Sequence, residues 1–92
     1  MQQNAAETLA LEALAWLAAN DELLPVFLGA TGASAADLRA GAGEPAFLGS
    51  VLDFLTMDDA WVVAFCDHAG RAYEEPLRAR QALPGADTMN WT

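Results

Sequence analysis

The sequence predicts an all-α fold, a compact bundle of five to six short helices arranged as two similar three-helix halves that share one core. Three observations carry that expectation. Hydrophobic residues, 54% of the 92-residue chain, recur with a helical period and nowhere alternate in the strand manner for more than a few residues. Acidic residues gather where the periodic stretches begin, and glycine or proline punctuates the gaps. The chain also resembles itself after a shift of 38 positions, from Leu14 to Leu52.

The elements follow in order. Asn4 with Glu7 three residues on is read as a capping pair that opens a first helix over about 5–19. Along it Thr8, Glu12, Ala15 and Ala19 share one strip, while Leu9, Ala13, Trp16 and Leu17 line another. Asn20 is expected to close it. Asp21 and Glu22 open a second helix, about 22–31, whose apolar residues are Leu23, Leu24, Phe27 and Leu28. Pro25 falls in or near its first turn, where a missing N–H costs least, and Gly32 ends it in the left-handed conformation.

Ser34, with Asp37 at the N3 position, caps a short third helix with Leu38 pointing inward, and Gly41-Ala42-Gly43 is read as a break. Glu44-Pro45 starts the fourth helix, about 45–57, with Phe47, Leu48, Val51, Leu52 and Leu55 as its stripe. Asp58 and Asp59 start the fifth, which runs to about His68 and stops at Gly70. Glu74-Glu75-Pro76 starts the sixth, which runs to Leu83. Residues 1–85 therefore read as a single domain, with halves of about 5–42 and 45–83. Residues 86–92 form a tail without periodicity.

The self-similarity sets "LAWLAANDELLPVFLGATG" against "LDFLTMDDAWVVAFCDHAG". Leu14 meets Leu52, Leu17 meets Leu55, Asp21 meets Asp59, Phe27 meets Phe65 and Gly32 meets Gly70. Trp16 falls opposite Phe54, and Asn20 opposite Asp58. One extra residue in the second copy brings Leu38-Arg39-Ala40 onto Leu77-Arg78-Ala79. The matches lie on caps, turns and core anchors, so each half is expected to need the other to close its core.

Thirteen acids against four arginines and no lysine give a net charge of −9. That balance excludes nucleic acid and an anionic membrane as expected partners, because both are held mainly by Lys and Arg. Nine of the acids (Glu7, Asp21, Glu22, Asp37, Glu44, Asp58, Asp59, Glu74 and Glu75) fall at predicted helix starts. Each is favourable there by about 0.3–1 kcal/mol through the helix dipole. Arg39, Arg78 and Arg80 fall in middle or last turns. Helix starts thus account for most of the acidity, and a surface that mimics DNA is the minor alternative. The opening MQQNAAET has neither the positive charge nor the apolar run of a signal peptide, and Leu9 to Ala19 is too short to span a bilayer. With a single cysteine, a cytoplasmic setting is expected.

The stretch "AFCDHAG" holds the only cysteine and the only histidine, Cys66 and His68, with Asp67 between them. On a helix Cys66 and His68 stand about 200° apart, so they cannot share a metal ion or act as nucleophile and base. Cys66 lies on the apolar stripe, opposite Leu28 in the repeat, and is expected to be a buried thiol. Asp67 is expected in solvent with Arg71 as its counter-charge. One His and one Cys exclude the CxxC and HExxH spacings, and Gly41-Ala42-Gly43 runs into Glu44 where a phosphate loop wants a base. No cofactor, metal or catalytic residue is expected. The turn in "FLGATGASAADLRA" suits two packed helices, but the helix after it offers only Arg39 to DNA. Asp58-Asp59 and Glu74-Glu75 face different ways and make no acid–base pair. Trp16, Phe27, Phe47, Phe54, Trp61 and Phe65 are assigned to the core, with Trp61 able to be partly exposed. Met89 and Trp91 lie outside any predicted helix. They are the candidate partner-binding residues, on a tail that either covers an apolar groove or docks to a partner.

Taken together, "AETLALEALAWLAANDELLPVFLGATGASAADLR", "PAFLGSVLDFLTMDDAWVVAFC" and "ARQALPG" resemble a family of short bacterial all-helical proteins, domain of unknown function 3572. The likeness spans about residues 6–85. It implies a soluble all-α domain and brings no activity, cofactor or catalytic position. The leading functional expectation is a non-enzymatic module that binds a protein partner or a second copy of itself. The alternatives are a thiol-dependent regulator or small enzyme using Cys66, with His68 or Asp59 nearby, and an acidic DNA mimic.

Overall fold

Six helices alternate with short turns in a computed structural model that describes residues 1–83. They are α1 (Gln3–Ala18), α2 (Leu23–Thr31), α3 (Ala35–Gly41), α4 (Pro45–Leu55), α5 (Asp59–Ala69) and α6 (Glu75–Ala82). No strand occurs among the described residues.

Local chemistry sets most of the boundaries. The Ser34 hydroxyl accepts from the Asp37 N–H at 3.3 Å, and the Asp37 carboxylate accepts from the Ser34 N–H at 2.9 Å, a complete capping box. Pro45 opens α4 and Pro76 lies in the first turn of α6. Gly32 and Gly70 both take left-handed geometry, with φ of 73° and 71°, and their N–H groups return to the carbonyls of Leu28 and Cys66.

Two expectations about local structure are corrected. Asn4 and Glu7 do not cap α1, which begins a residue earlier at Gln3. Asn4 Oδ1 accepts from its neighbour Ala5, and Glu7 accepts from Gln3 Nε2. The first turn is exposed, so water satisfies its free N–H groups. Asn20 does not close α1; it opens α2, accepting from the Glu22 and Leu23 N–H groups at 3.1 Å each. Asp58, its counterpart in the repeat, accepts in the same way from the Ala60 N–H at 2.8 Å. α3 ends at Gly41 and the turn Ala42-Gly43 follows, so the chain breaks at Gly41-Ala42-Gly43 as expected, with Gly41 itself buried. A Cβ there would stand 2.4 Å from the Phe47 ring, so glycine is needed for space rather than for φ.

One hydrophobic core joins the helices. α1 and α4 pack on each other, α6 lies against both, α2 touches both, α5 packs on α1 and α3 on α4. Leu9, Ala13 and Leu17 of α1, Val51, Leu52 and Leu55 of α4, and Phe27 and Phe65 are fully buried. Thr8, Glu12, Ala15 and Ala19 form the exposed strip, as the spacing requires. Trp16 and Phe47, assigned to the core, are only half-buried, and so is Trp61, for which partial exposure was expected.

The aromatic contacts follow the 38-residue alignment. Trp16 of α1 meets Phe65 of α5 edge to face at 5.9 Å, and their counterparts Phe54 of α4 and Phe27 of α2 meet in the same manner at 5.2 Å. The second helix of each segment therefore packs its phenylalanine on the first helix of the other. The third helices depart from the scheme. Leu38 is half-buried in α3, whereas Leu77 is exposed and α6 turns Pro76, Ala79 and Arg80 inward. Arg80 donates to Asp53 across the α4–α6 contact.

Candidate functional site

The ends of α1 and α5 form an open groove of about 940 Å³. Its walls come from Ala15 of α1, Ala19 just past its end and Ala69 of α5, side chains too short to fill the space. Trp16 lies at its base above the buried Phe65, and the turn Asn20-Asp21-Glu22 forms one end. Glu12 and His68 complete the rim. Lysine and arginine are missing from this lining, which carries three carboxylates. The C-termini of α1 and α5 end here with partial negative charge, and the Asn20-Asp21-Glu22 turn is also the start of α2, whose partial positive charge Asp21 and Glu22 offset.

Glu12 is held in place from outside the groove. Arg71 donates to its two carboxylate oxygens at 2.8 and 3.0 Å, and to Glu75 at 2.9 Å. Glu75 in turn accepts from the Ala72 N–H at 2.7 Å. Arg71 thus clips the α5–α6 turn to α1, and it is not the counter-charge expected for Asp67, which accepts instead from the Tyr73 hydroxyl at 2.8 Å. The clip prevails because it satisfies three hydrogen bonds of a guanidinium fork, which an isolated Asp67 contact would not.

The Arg71 hydrogen bonds hold the Glu12 carboxyl below its ordinary value of 4.5; at Glu75 the Ala72 N–H does so first, with Arg71 adding to it. A depressed carboxyl contributes stability above its unfolded value and loses it as pH falls through the lower folded value. Arg71→Gln is therefore expected to cost about 0.5–1 kcal/mol near neutral pH, after screening by solvent. The difference from the parent protein in thermal midpoint should shrink as pH drops below about 4. A difference that stays constant from pH 7 to pH 3 would show that the clip adds nothing.

Cys66 and His68 diverge as their spacing requires. Cys66 is 1% exposed and its Sγ–H faces the Ala72 carbonyl at 3.5 Å, whereas His68 is exposed on the groove rim. Burial, then the charges of Glu75 and Asp67, push the Cys66 thiol up, away from the reactive thiolate. Native protein should therefore resist a thiol reagent that labels Cys66 fully in denaturant; rapid labelling of the folded chain would restore the thiol-based alternative. Asp59 stands at the opposite end of α5 from His68. Among the described residues no group of three His, Cys, Asp or Glu side chains is arranged to hold a metal ion, and no single helix is long and apolar enough to cross a membrane. Met89 and Trp91 lie outside the described residues.

The groove itself was not among the sequence expectations. Its signal was present in the alanines that flank Trp16 on the exposed strip, but only the approach of α5 turns them into a wall. The family model described as a protein of unknown function (DUF3572) matches residues 3–86. No curated protein and no solved structure matches the chain.

Proposed function

We propose that this chain, which belongs to the DUF3572 family, is a non-enzymatic protein-interaction module that receives its partner in the groove between α1 and α5. The observation that carries the reading is the half-buried Trp16 at the base of a large open groove walled by alanines. A half-buried indole ringed by polar residues is the usual anatomy of an interaction hot spot. The inert environment of Cys66 supports binding over thiol chemistry. A cytoplasmic setting belongs to the same reading and suits a lone buried thiol.

A photoreactive amino acid placed at Ala19, exposed on the groove wall, tests it in the native cell. The expected result is a discrete crosslinked adduct at this position and none from Ala36, exposed on α3. Equal labelling from both positions, or no adduct from Ala19, would refute the assignment of the groove.

A further inference from the structure

The aromatic pairs related by the repeat differ in one respect. Phe54 is 3% exposed because Trp61 lies stacked on it, at 4.7 Å between ring centroids and 20° between planes. Its counterpart Trp16 has Leu23 at the position corresponding to Trp61 and remains half-buried. The second half of the domain thus supplies its own flat group over the aromatic ring, while the first leaves that place to something else.

The surroundings specify the charge of that group. Asp21 and Glu22 are exposed and make no ion pair among the described residues, and the described lining of the groove holds no lysine or arginine to offset them. A flat cationic group satisfies both demands, and a guanidinium stacks on indole while donating to carboxylates at its edge. The backbone of the occupant is constrained as well. Without a strand edge among the described residues, addition of a β-strand is not available, and the walls are two helices. Helix in groove is the recognition mode that two helical walls fit best.

We infer that the groove receives a basic amphipathic helix of a protein partner, with an arginine laid over Trp16 and paired with the Asp21–Glu22 rim. This rests on the groove being the interaction site and goes on to name its occupant. The full chain is titrated with a fluorescent synthetic amphipathic helix bearing leucine on one face and arginine on the other. Comparison peptides carry glutamate in place of arginine, or the same composition scrambled. The arginine helix is expected to bind, more weakly as salt is added, and at least about tenfold tighter than either comparison peptide. Asp21→Lys with Glu22→Lys should weaken it about tenfold, and Trp16→Leu should do so without removing charge. Glu44→Lys with Asp59→Lys, equal in charge and outside the groove, should leave most of the affinity.

Equal losses from the two charge reversals would reduce the binding to diffuse attraction and overturn the inference. Equal binding of the glutamate helix would overturn the named occupant while leaving the groove as a docking site. Affinity raised more than about tenfold by Trp91→Ala would make the chain's own C-terminal segment the occupant, against the inference. A silent crosslinker at Ala19 would instead remove the groove reading beneath it.

Discussion

Phe27→Ala is expected to destabilise the domain by about 3–5 kcal/mol. Phe27 is fully buried and meets Phe47 at 6.2 Å and Phe54 at 5.2 Å, both edge to face. Removing the ring loses its transfer energy, two oriented aromatic contacts and the packing of α2 on α4. A domain of this size has a total stability of about 5–10 kcal/mol, so the variant should unfold at a much lower urea concentration and sit near its limit at body temperature. Urea denaturation followed by circular dichroism measures the loss. A change below about 1 kcal/mol would mean that the α2–α4 contact does not hold the core.

Gly41→Ala should cost about 1–3 kcal/mol, although alanine is the better helix former by about 1 kcal/mol. The new methyl group would stand 2.4 Å from Cγ of Phe47, the root of the ring rather than its free end. Either Phe47 leaves its place against Phe27 or α3 moves off α4. Phe47→Leu in the same chain should recover part of the loss, because the smaller side chain relieves the overlap, and the double-mutant cycle measures that coupling. A neutral or stabilising Gly41→Ala would place α3 farther from α4 than the structure has it.

Helix positions were legible because their determinants are local. Ser34 with Asp37, Pro45, Asp58, Gly32 and Gly70 act through hydrogen bonds and dihedral angles within a few residues, and all lie where the sequence puts them. Asn20 was misread because an asparagine between two helices suits the end of one or the start of the next, and only the Oδ1 bonds decide between them. The break at Gly41 was legible, but its second role was not, because space against the Phe47 ring is a tertiary demand with no trace in the neighbouring residues. Arg71 was assigned to Asp67 by proximity in sequence, whereas its carboxylate partner Glu12 is 59 residues away. The groove was hidden for the same reason. Trp16 reads as core by periodicity, and it stays half-buried where α5 meets it with Phe65 and a single alanine, Ala69, rather than with a second indole.

The half-buried Trp16 in the groove carries the proposed site, and indole N–H resonances report on it directly. The chain has three tryptophans, Trp16, Trp61 and Trp91. In a titration of the isotope-labelled full chain with the arginine-bearing helix, the Trp16 indole signal and the backbone amides of Ala15, Ala19, Asn20 and Ala69 should shift most. The Trp61 signal, stacked on Phe54 and outside the groove lining, should stay in place. Shifts spread evenly over the acidic surface, or centred on Trp61 with Trp16 unmoved, would contradict the assignment.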